Sequence, residues 1–166
     1  MAVLSGMRPG EIFGMTWGRL QGKHAEIRQR IYRGHVDTPK TAKSVREVAL
    51  SNGVVSEINE WRKVSLDCSP NAWVFPSETM KTPVSKDNCW RRHIAPKLKE
   101  VGLDWVDFQV MRRTHSTLMK HLKRDPKVVA DQLGHTLDVN QNIYTQAPME
   151  LKMEAVNELE AVLEFQ

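Results

Sequence analysis

The amino-acid sequence predicts a mixed α+β fold that is mainly α-helical, with a small antiparallel β-sheet near the N-terminus. Apolar residues recur at steps of three and four over most of the chain, which is the spacing of one helix face. They alternate with polar residues only between residues 24 and 50, which is typical of half-buried strands. The 166 residues suffice for one domain with a sizeable core, and no boundary for a second domain is evident. We therefore expect residues 1–166 to form a single domain.

A helix should begin at Pro9, whose fixed φ and missing N–H suit the first position of a helix. Glu11 then lies in the first turn, where the helix dipole favours an acidic side chain. Ile12 and Met15 share a buried side of this helix. Arg8 precedes the helix, and its planar guanidinium is suited to binding a phosphate. An exposed arginine in an ordinary ion pair is the alternative.

Residues 24–50 should form the sheet. Apart from Gln29, its inward-facing residues are apolar and in phase at a spacing of two: Ala25, Ile27, Ile31, Val48 and Leu50. A proline-containing turn between the two halves presents Lys40 and Lys43. An ammonium group at this turn can protonate a departing oxygen if its neighbours lower its pKa toward neutrality. Otherwise both lysines only contact phosphates.

Two helices are predicted in the middle of the chain. Ser51 is a suitable N-cap for the first, whose core face carries Val54, Ile58 and Trp61. Ser85 begins a second helix, which Pro96 should interrupt. Arg91 and Arg92 lie on this second helix, on a face that contacts either solvent or a DNA backbone.

A longer helical pattern runs from Phe108 to Leu122. Its predicted buried residues lie beside Arg112: Val110, Met111, Leu118, Met119 and Leu122. The next helix should start at Asp125-Pro126 and end at Gly134, since glycine commonly occupies the left-handed position that follows a helix.

His135 and Tyr144 follow this glycine. Because a capped helix end fixes the backbone, the His135 imidazole should lie on a fixed corner. Asp138 is a suitable N-cap for a short helix that carries Tyr144, nine residues after His135, so both side chains can converge on one group of substrate atoms. A surface histidine and a half-buried tyrosine are the alternative for this stretch taken alone.

Charge is divided unevenly along the chain. The net charge is +4, but residues 147–166 contain five glutamates and one lysine and carry −4, so residues 1–146 carry +8. A basic body of this kind is typical of proteins that neutralise phosphates. The alternative is that the lysines are scattered over a solvated surface, which gives the same net charge.

The sequence argues against a membrane protein and against a secreted protein. No apolar run approaches the ~20 residues of a membrane span, and the first residues lack the basic and apolar regions of a signal peptide. We therefore expect a cytoplasmic protein, with a nuclear location as the alternative in a cell that is not bacterial. Cys68 and Cys89 are isolated and lack CxxC spacing, so we expect neither a disulfide nor a metal site.

Five segments, in this order, resemble the motifs of the tyrosine recombinases, the family of phage-type integrases. They are Ser5-Gly-Met-Arg8-Pro-Gly-Glu11, Thr38-Pro-Lys40-Thr-Ala-Lys43-Ser44, Gln109-Val-Met-Arg112-Arg113-Thr114, Leu133-Gly134-His135 and Tyr144. The resemblance covers essentially the whole chain and implies the catalytic-domain fold of that family.

The resemblance also implies a chemistry. Tyr144 would be the nucleophile that attacks a DNA phosphodiester and forms a 3′-phosphotyrosyl bond, with no metal, ATP or other cofactor. Arg8, Arg112 and His135 would stabilise the charge that grows on the nonbridging oxygens. Lys40, in the mobile hairpin of the family, would be the general acid for the leaving 5′-hydroxyl.

Gln109 completes this catalytic set but departs from the family pattern His-x-x-Arg. Its amide can hydrogen-bond a phosphate oxygen but cannot transfer a proton, so activity is expected to be reduced. His115 lies three residues after Arg112 instead of three before it, and should point along a different part of the helix. A shifted register would make Arg113 the phosphate ligand, but the family motif matches only with Arg112.

The leading hypothesis is therefore the catalytic domain of a site-specific DNA recombinase. Its implied partners are double-stranded DNA and further copies of itself, in a DNA-bound tetramer, and the predicted DNA-binding residues outside the catalytic set are Lys43, Arg91, Arg92 and Arg113. A type IB topoisomerase shares this chemistry but relaxes supercoils without pairing two sites. A catalytically weakened DNA-binding relic is the third hypothesis, for which Gln109 is the sequence argument.

The two ends of the chain carry further expectations. The uncapped apolar start, Ala2-Val3-Leu4, suggests a fragment from which the DNA-clamping domain implied by the resemblance is absent. Residues 148–166 should form a helix with one apolar stripe: Leu151, Ala155, Leu159 and Val162. This helix either folds back on its own domain or, as the resemblance implies, docks on a neighbouring protomer.

Overall fold

A computed structural model describes residues 1–38 and 44–136, together with residues 149, 153, 156 and 157. The predicted lysine turn, Tyr144 and the apolar stripe of the tail lie outside the described residues. In the described ranges the chain is mainly helical, with short strands confined to residues 20–49, which confirms the predicted fold class. None of the described helices is long and apolar enough to cross a membrane.

The strands form two antiparallel ribbons instead of one continuous sheet. Strands β1 (Leu20–Gln21), β2 (His24–Ile27) and β5 (Arg46–Ala49) form a sheet in the order β1-β2-β5. Strands β3 (Arg30–Tyr32) and β4 (His35–Asp37) pair separately. Their turn residues Arg33 and Gly34 both have positive φ, 49° and 81°, which matches the twist of a tight hairpin.

The predicted helix starts are confirmed by their caps. Helix α1 (Ala2–Ser5) precedes α2 (Pro9–Phe13), which begins at Pro9. The hydroxyl of Ser51 caps α3 (Asn52–Val64), and the carboxylate of Asp125 caps α7 (Pro126–Leu133) by accepting from the amide of Lys127 at 2.6 Å. Helix α7 ends at Gly134, which has a φ of 66°, so the predicted left-handed glycine is also confirmed.

The prediction that Pro96 interrupts a helix is wrong. Helix α4 (Lys86–Cys89) continues through a π-helical turn (Trp90–Ile94) into α5 (Ala95–Glu100). Pro96 has no N–H to donate to the preceding turn, and the wider π turn accommodates it without ending the helical run.

The hydrophobic core lies between the three-stranded sheet and the helices around it, and its buried members are Met7, Ile12, Met15, Trp17, Ala25, Ile27, Val48, Leu50, Val54 and Val74. Helix α6 (Phe108–His121) packs on α1 with a polar buried face formed by Arg112, His115 and Ser116. Leu118 and Leu122 are 50% and 61% exposed, so their predicted burial is wrong. Donors on α6 are instead turned toward backbone carbonyls of neighbouring segments.

Candidate active site

Arg8 is fixed at the start of α2 by a reciprocal cap with Glu11. The amide of Arg8 donates to Glu11 Oε2 at 2.8 Å, and its Nη1 donates to Glu11 Oε1 at 3.0 Å. Pro9 provides the first helical residue, which places Glu11 three positions after Arg8 and within reach of both groups. The Arg8 side chain is about one third exposed, with 35% of its surface accessible, so it can still contact a ligand.

Arg112 is held from the opposite side by backbone carbonyls. Its side chain is buried, and its guanidinium donates to the carbonyl oxygens of Gly6, after α1, and Leu133, the last residue of α7. Carbonyls at helix ends carry partial negative charge and are not used by the helix itself, so they stabilise a buried guanidinium. Arg8 Nη1 lies 3.5 Å from the same Leu133 oxygen. The two arginines therefore meet at one point.

His135 completes this group. Its Nε2 lies 2.7 Å from Arg112 Nη2. A guanidinium can only donate, so Nε2 is the acceptor and the imidazole is neutral in this arrangement. Burial, followed by the charges of Arg112, Arg8 and Arg46, lowers the pKa of His135 from 6.5 to about 4, with only Glu11 opposing this shift.

A cleft of about 420 Å³ opens beside the two arginines. Its lining residues are Arg8, Pro9, Lys86, Asp87, Trp90, Asp107, Phe108, Gln109 and Arg112. One wall is aromatic, since the Phe108 ring packs 4.9 Å from the Trp90 ring and 6.0 Å from the Phe13 ring, measured between centroids. Among these lining residues Arg8, Arg112 and Gln109 carry N–H groups, the kind of donor that binds a phosphate, while Asp87 and Asp107 carry carboxylates.

A buried ion pair between Arg46 and Glu11 holds Arg8 in position. Arg46 donates to both oxygens of Glu11, at 2.9 and 3.0 Å, and the two side chains are 7% and 3% exposed. Burial alone raises the pKa of Glu11, but its bonds to Arg46 and Arg8 outweigh this and hold the pKa below its ordinary value. Glu11 therefore stays ionised between two arginines and fixes the position of Arg8.

Sequence reasoning assigned no site role to Arg46 or Gln132, and took Glu11 only as a first-turn acid. One signal was present for Arg46, because it lies on the same face of its strand as Val48 and Leu50 and is the charged member of an otherwise apolar face. Gln132 carries no comparable signal.

Comparison with known proteins identifies the family. The model of the Phage integrase family matches residues 1–150. The chain belongs to the phage integrase family. This result confirms the family that the sequence motifs indicated.

Two curated relatives have similar sequences. The chain is 24% identical over 186 residues to a "Tyrosine recombinase XerC-like" protein of Caldanaerobacter subterraneus subsp. tengcongensis, covering 96% of this chain and 47% of that protein. It is 24% identical over 170 residues to the ICEBs1 integrase of Bacillus subtilis, covering 91% of this chain and 45% of that protein. The chain thus spans about half the length of these relatives.

Solved structures show the same fold. The integrase of transposon Tn1549, in complex with a circular intermediate DNA, superposes with a TM-score of 0.74 at 18% identity, over 95% of this chain and 56% of that one. The XerA recombinase gives a TM-score of 0.71 at 20% identity, over 95% and 53%. The fold is therefore that of a tyrosine recombinase catalytic domain.

The predicted site residues of this phage integrase domain fall into three groups. Arg8, Arg112 and His135 meet as described, and Gln109 lines the same cleft. The predicted DNA-binding residues Arg91, Arg92 and Arg113 are exposed. The remaining three, Lys40, Lys43 and Tyr144, lie outside the described residues.

His115, three residues after Arg112, bonds to helix α1. Its ring is buried, and Nδ1 donates to the carbonyl oxygen of Val3 at 2.8 Å. Burial lowers the pKa of His115. His115 thus joins α6 to α1 and does not replace the missing family histidine at position 109.

The cysteines and metal-binding residue types form no site in the part of the chain that the structure describes. Cys68 and Cys89 are free thiols there. Among the described residues, no group of three or more His, Cys, Asp or Glu side chains is arranged to hold a metal ion.

Proposed function

We propose that this chain is the catalytic domain of a site-specific DNA recombinase, which breaks and rejoins strands through a 3′-phosphotyrosyl bond to Tyr144 without metal or ATP. One observation carries the proposal: Arg8 and Arg112, from two distant segments, meet at the carbonyl of Leu133, and His135 bonds to the same Arg112 guanidinium. The two arginines also line a cleft that can admit a phosphate. The names of the relatives, a tyrosine recombinase and an integrase, agree with it.

The two guanidinium groups supply the electrostatic part of the reaction. As the Tyr144 oxygen loses its proton to solvent and bonds to phosphorus, the bond to the 5′ oxygen breaks and negative charge grows on the nonbridging oxygens. Arg112 is oriented by two carbonyls and Arg8 by Glu11, so neither has to reorganise when this charge develops. The leaving 5′ oxygen takes its proton from Lys40 in this scheme.

His135 acts in this scheme as a hydrogen-bonding group. Its pKa of about 4 in the DNA-free site makes it a weak base near neutral pH. Gln109 likewise offers only its amide to a phosphate oxygen. His135 and Gln109 therefore orient the phosphate by hydrogen bonds. Proton transfer depends on the segments that carry Lys40 and Tyr144.

The direct test is trapping on a nicked suicide duplex. The 166-residue chain should form an SDS-resistant adduct whose DNA-linked peptide contains Tyr144, and Tyr144→Phe should abolish the adduct while DNA binding persists. Tyr32→Phe is the matched control, because Tyr32 is the other tyrosine of the chain and is 51% exposed on β3. Adduct formation by Tyr144→Phe, or its loss in Tyr32→Phe, would refute the assignment.

Gln109 is the observation that favours the second candidate, a DNA-binding relic. That protein would bind duplex DNA in a salt-dependent manner but give no adduct on the suicide duplex. A plasmid relaxation assay separates the topoisomerase alternative, since relaxation of a plasmid that offers no second site for pairing would favour it over recombination.

We further propose that the partners are double-stranded DNA and other copies of this chain, assembled as a tetramer on DNA in the cytoplasm. The net +8 on residues 1–146 supports phosphate binding. The tail carries −4, which fits a basic receptor surface on a neighbouring protomer and disfavours contact with DNA.

Deletion of residues 149–166 tests this role of the tail. Cooperative assembly on a two-site DNA should weaken, while binding to a single site should stay nearly unchanged, because the phosphate-binding residues remain. Gel-shift titrations on one-site and two-site duplexes measure both quantities. Equal cooperativity of the full and truncated chains would refute docking on a neighbour.

A further inference from the structure

Gln132, three residues before His135, is held by strand β5 at both its side chain and its main chain. Its Nε2 donates to the carbonyl of Ala49 at 3.0 Å, and its Oε1 accepts from the amide of Ala49 at 3.0 Å. Arg46, three residues earlier on β5, donates from Nε to the main-chain carbonyl of Gln132 at 2.9 Å. Nε2 also lies 3.2 Å from the carbonyl of Ser5.

The carboxamide of Gln132 therefore takes the place of a further strand. Among the described residues β5 is the last strand of its sheet, so one side of its backbone pairs with no other strand that the structure describes. A carboxamide has the same donor and acceptor as a peptide group, and both are used here on one residue of that edge. This pairing attaches the end of α7 to the sheet at a defined position.

The residues that follow Gln132 carry the contacts of the site. The Leu133 carbonyl accepts from Arg112, and His135 Nε2 accepts from the same guanidinium. Between them Gly134 has no room for a side chain, because an added Cβ would lie 2.8 to 3.0 Å from Arg46 atoms. A displacement of Gln132 along β5 must therefore move the His135 ring relative to Arg112.

We propose that Gln132 is a positioning residue, whose pairing with β5 sets the place of the His135 imidazole against Arg112. As a statement about catalysis this rests on the proposed recombinase function.

Gln132→Met and Gln132→Glu test the pairing. Methionine keeps the length of the side chain but has neither the amide donor nor its oxygen, and glutamate presents a carboxylate without a donor to two carbonyls. Each variant should form adduct at least about tenfold more slowly in single-turnover assays, with DNA affinity changed less than about twofold. Gln29→Met is the matched control, because Gln29 Nε2 makes a similar bond to the Gly14 carbonyl, at 2.8 Å, away from His135.

A second readout does not depend on cleavage. NMR titration of the His135 ring in wild type should give a pKa near 4. In Gln132→Met the pKa should rise toward 6.5, because the displaced ring is less buried and lies farther from the charges of Arg112, Arg8 and Arg46. Gln29→Met should keep the wild-type titration. An unchanged His135 titration in Gln132→Met, or cleavage at the wild-type rate, would overturn the proposal.

The two readouts separate the two levels of inference. If wild type forms no adduct on the suicide duplex but the His135 titration moves in Gln132→Met, the recombinase function fails and the positioning of His135 by Gln132 stands. If Gln132→Met and Gln29→Met lose thermal stability and cleavage in equal proportion, the effect is only structural and the positioning role is refuted.

Discussion

Arg112 and Arg113 are adjacent in sequence, yet their side chains lie in different environments. Arg112 is 4% exposed and bonded to two carbonyls and to His135, whereas Arg113 is exposed one position further around α6. A buried guanidinium in a fixed orientation can stabilise a transition state, and an exposed one mainly attracts DNA.

Arg112→Ala should therefore reduce single-turnover cleavage by at least about 100-fold, as the loss of one preorganised donor does, and Arg8→Ala should do the same. The neighbouring Arg113→Ala is the control: it should weaken DNA binding and lower its salt dependence by about one counterion, with little effect on cleavage at saturating DNA. Cleavage at the wild-type rate by Arg112→Ala would remove Arg112 from the site.

At the scale of elements, the end of α7 is the critical junction. Gly134 has a φ of 66°, a conformation that costs an L-residue about 1–2 kcal/mol, and it is closely approached by Arg46. Gly22 has a nearly equal φ of 63°, but nothing lies within 4 Å of the place where its Cβ would be. The two glycines differ in packing and share the backbone requirement.

Gly22→Ala should thus lower the free energy of unfolding by about 1–2 kcal/mol, and Gly134→Ala should lower it further, because a methyl group must displace Arg46 from Glu11. Both substitutions affect the unfolded chain equally. The difference between the two losses of unfolding free energy therefore measures the cost of crowding between residue 134 and Arg46. Urea unfolding at neutral pH measures both values. Equal losses would show that the approach of Arg46 to Gly134 carries no energetic cost.

At the scale of the whole molecule, the buried ionisable groups make the fold sensitive to acid. The pKa values of His135 and His115 are lowered mainly by burial, that of His135 from 6.5 to about 4. Glu11 has a lowered pKa as well. In each case the unfolded chain binds protons more readily than the folded chain does. The contribution of each group to the free energy of unfolding is therefore present at higher pH and is lost as pH falls.

The free energy of unfolding should therefore decrease as pH falls from 6.5 toward 4, where the histidines must be protonated, and decrease again below 4.5 as Glu11 is protonated. Urea titrations at pH 7.5, 5.5 and 4.5 would follow this change. His135→Gln should flatten the first part of the profile, since it removes one of the groups responsible. A stability that is independent of pH in this range would contradict the assignment of buried neutral histidines.

Much of the fold was predictable because its signals are local. Pro9, Ser51, Asp125 and Gly134 mark helix ends through their own backbone and side-chain chemistry, and each occupies the predicted position. The strand phase of Ala25, Ile27, Val48 and Leu50 follows from an alternation of two that needs no distant partner. The motifs around Arg8, Arg112 and His135 likewise named residues that come together.

The pairings that support the site were decided by the tertiary structure. Arg46 meets Glu11 across 35 positions and Gln132 across 86, and no short-range pattern records such a pairing. The same is true of α6, where an apolar spacing predicted burial for Leu118 and Leu122 but the helix turns Arg112 and His115 inward instead. A buried charge is stable only where distant carbonyls and carboxylates converge on it, and that convergence exists only after the chain has folded.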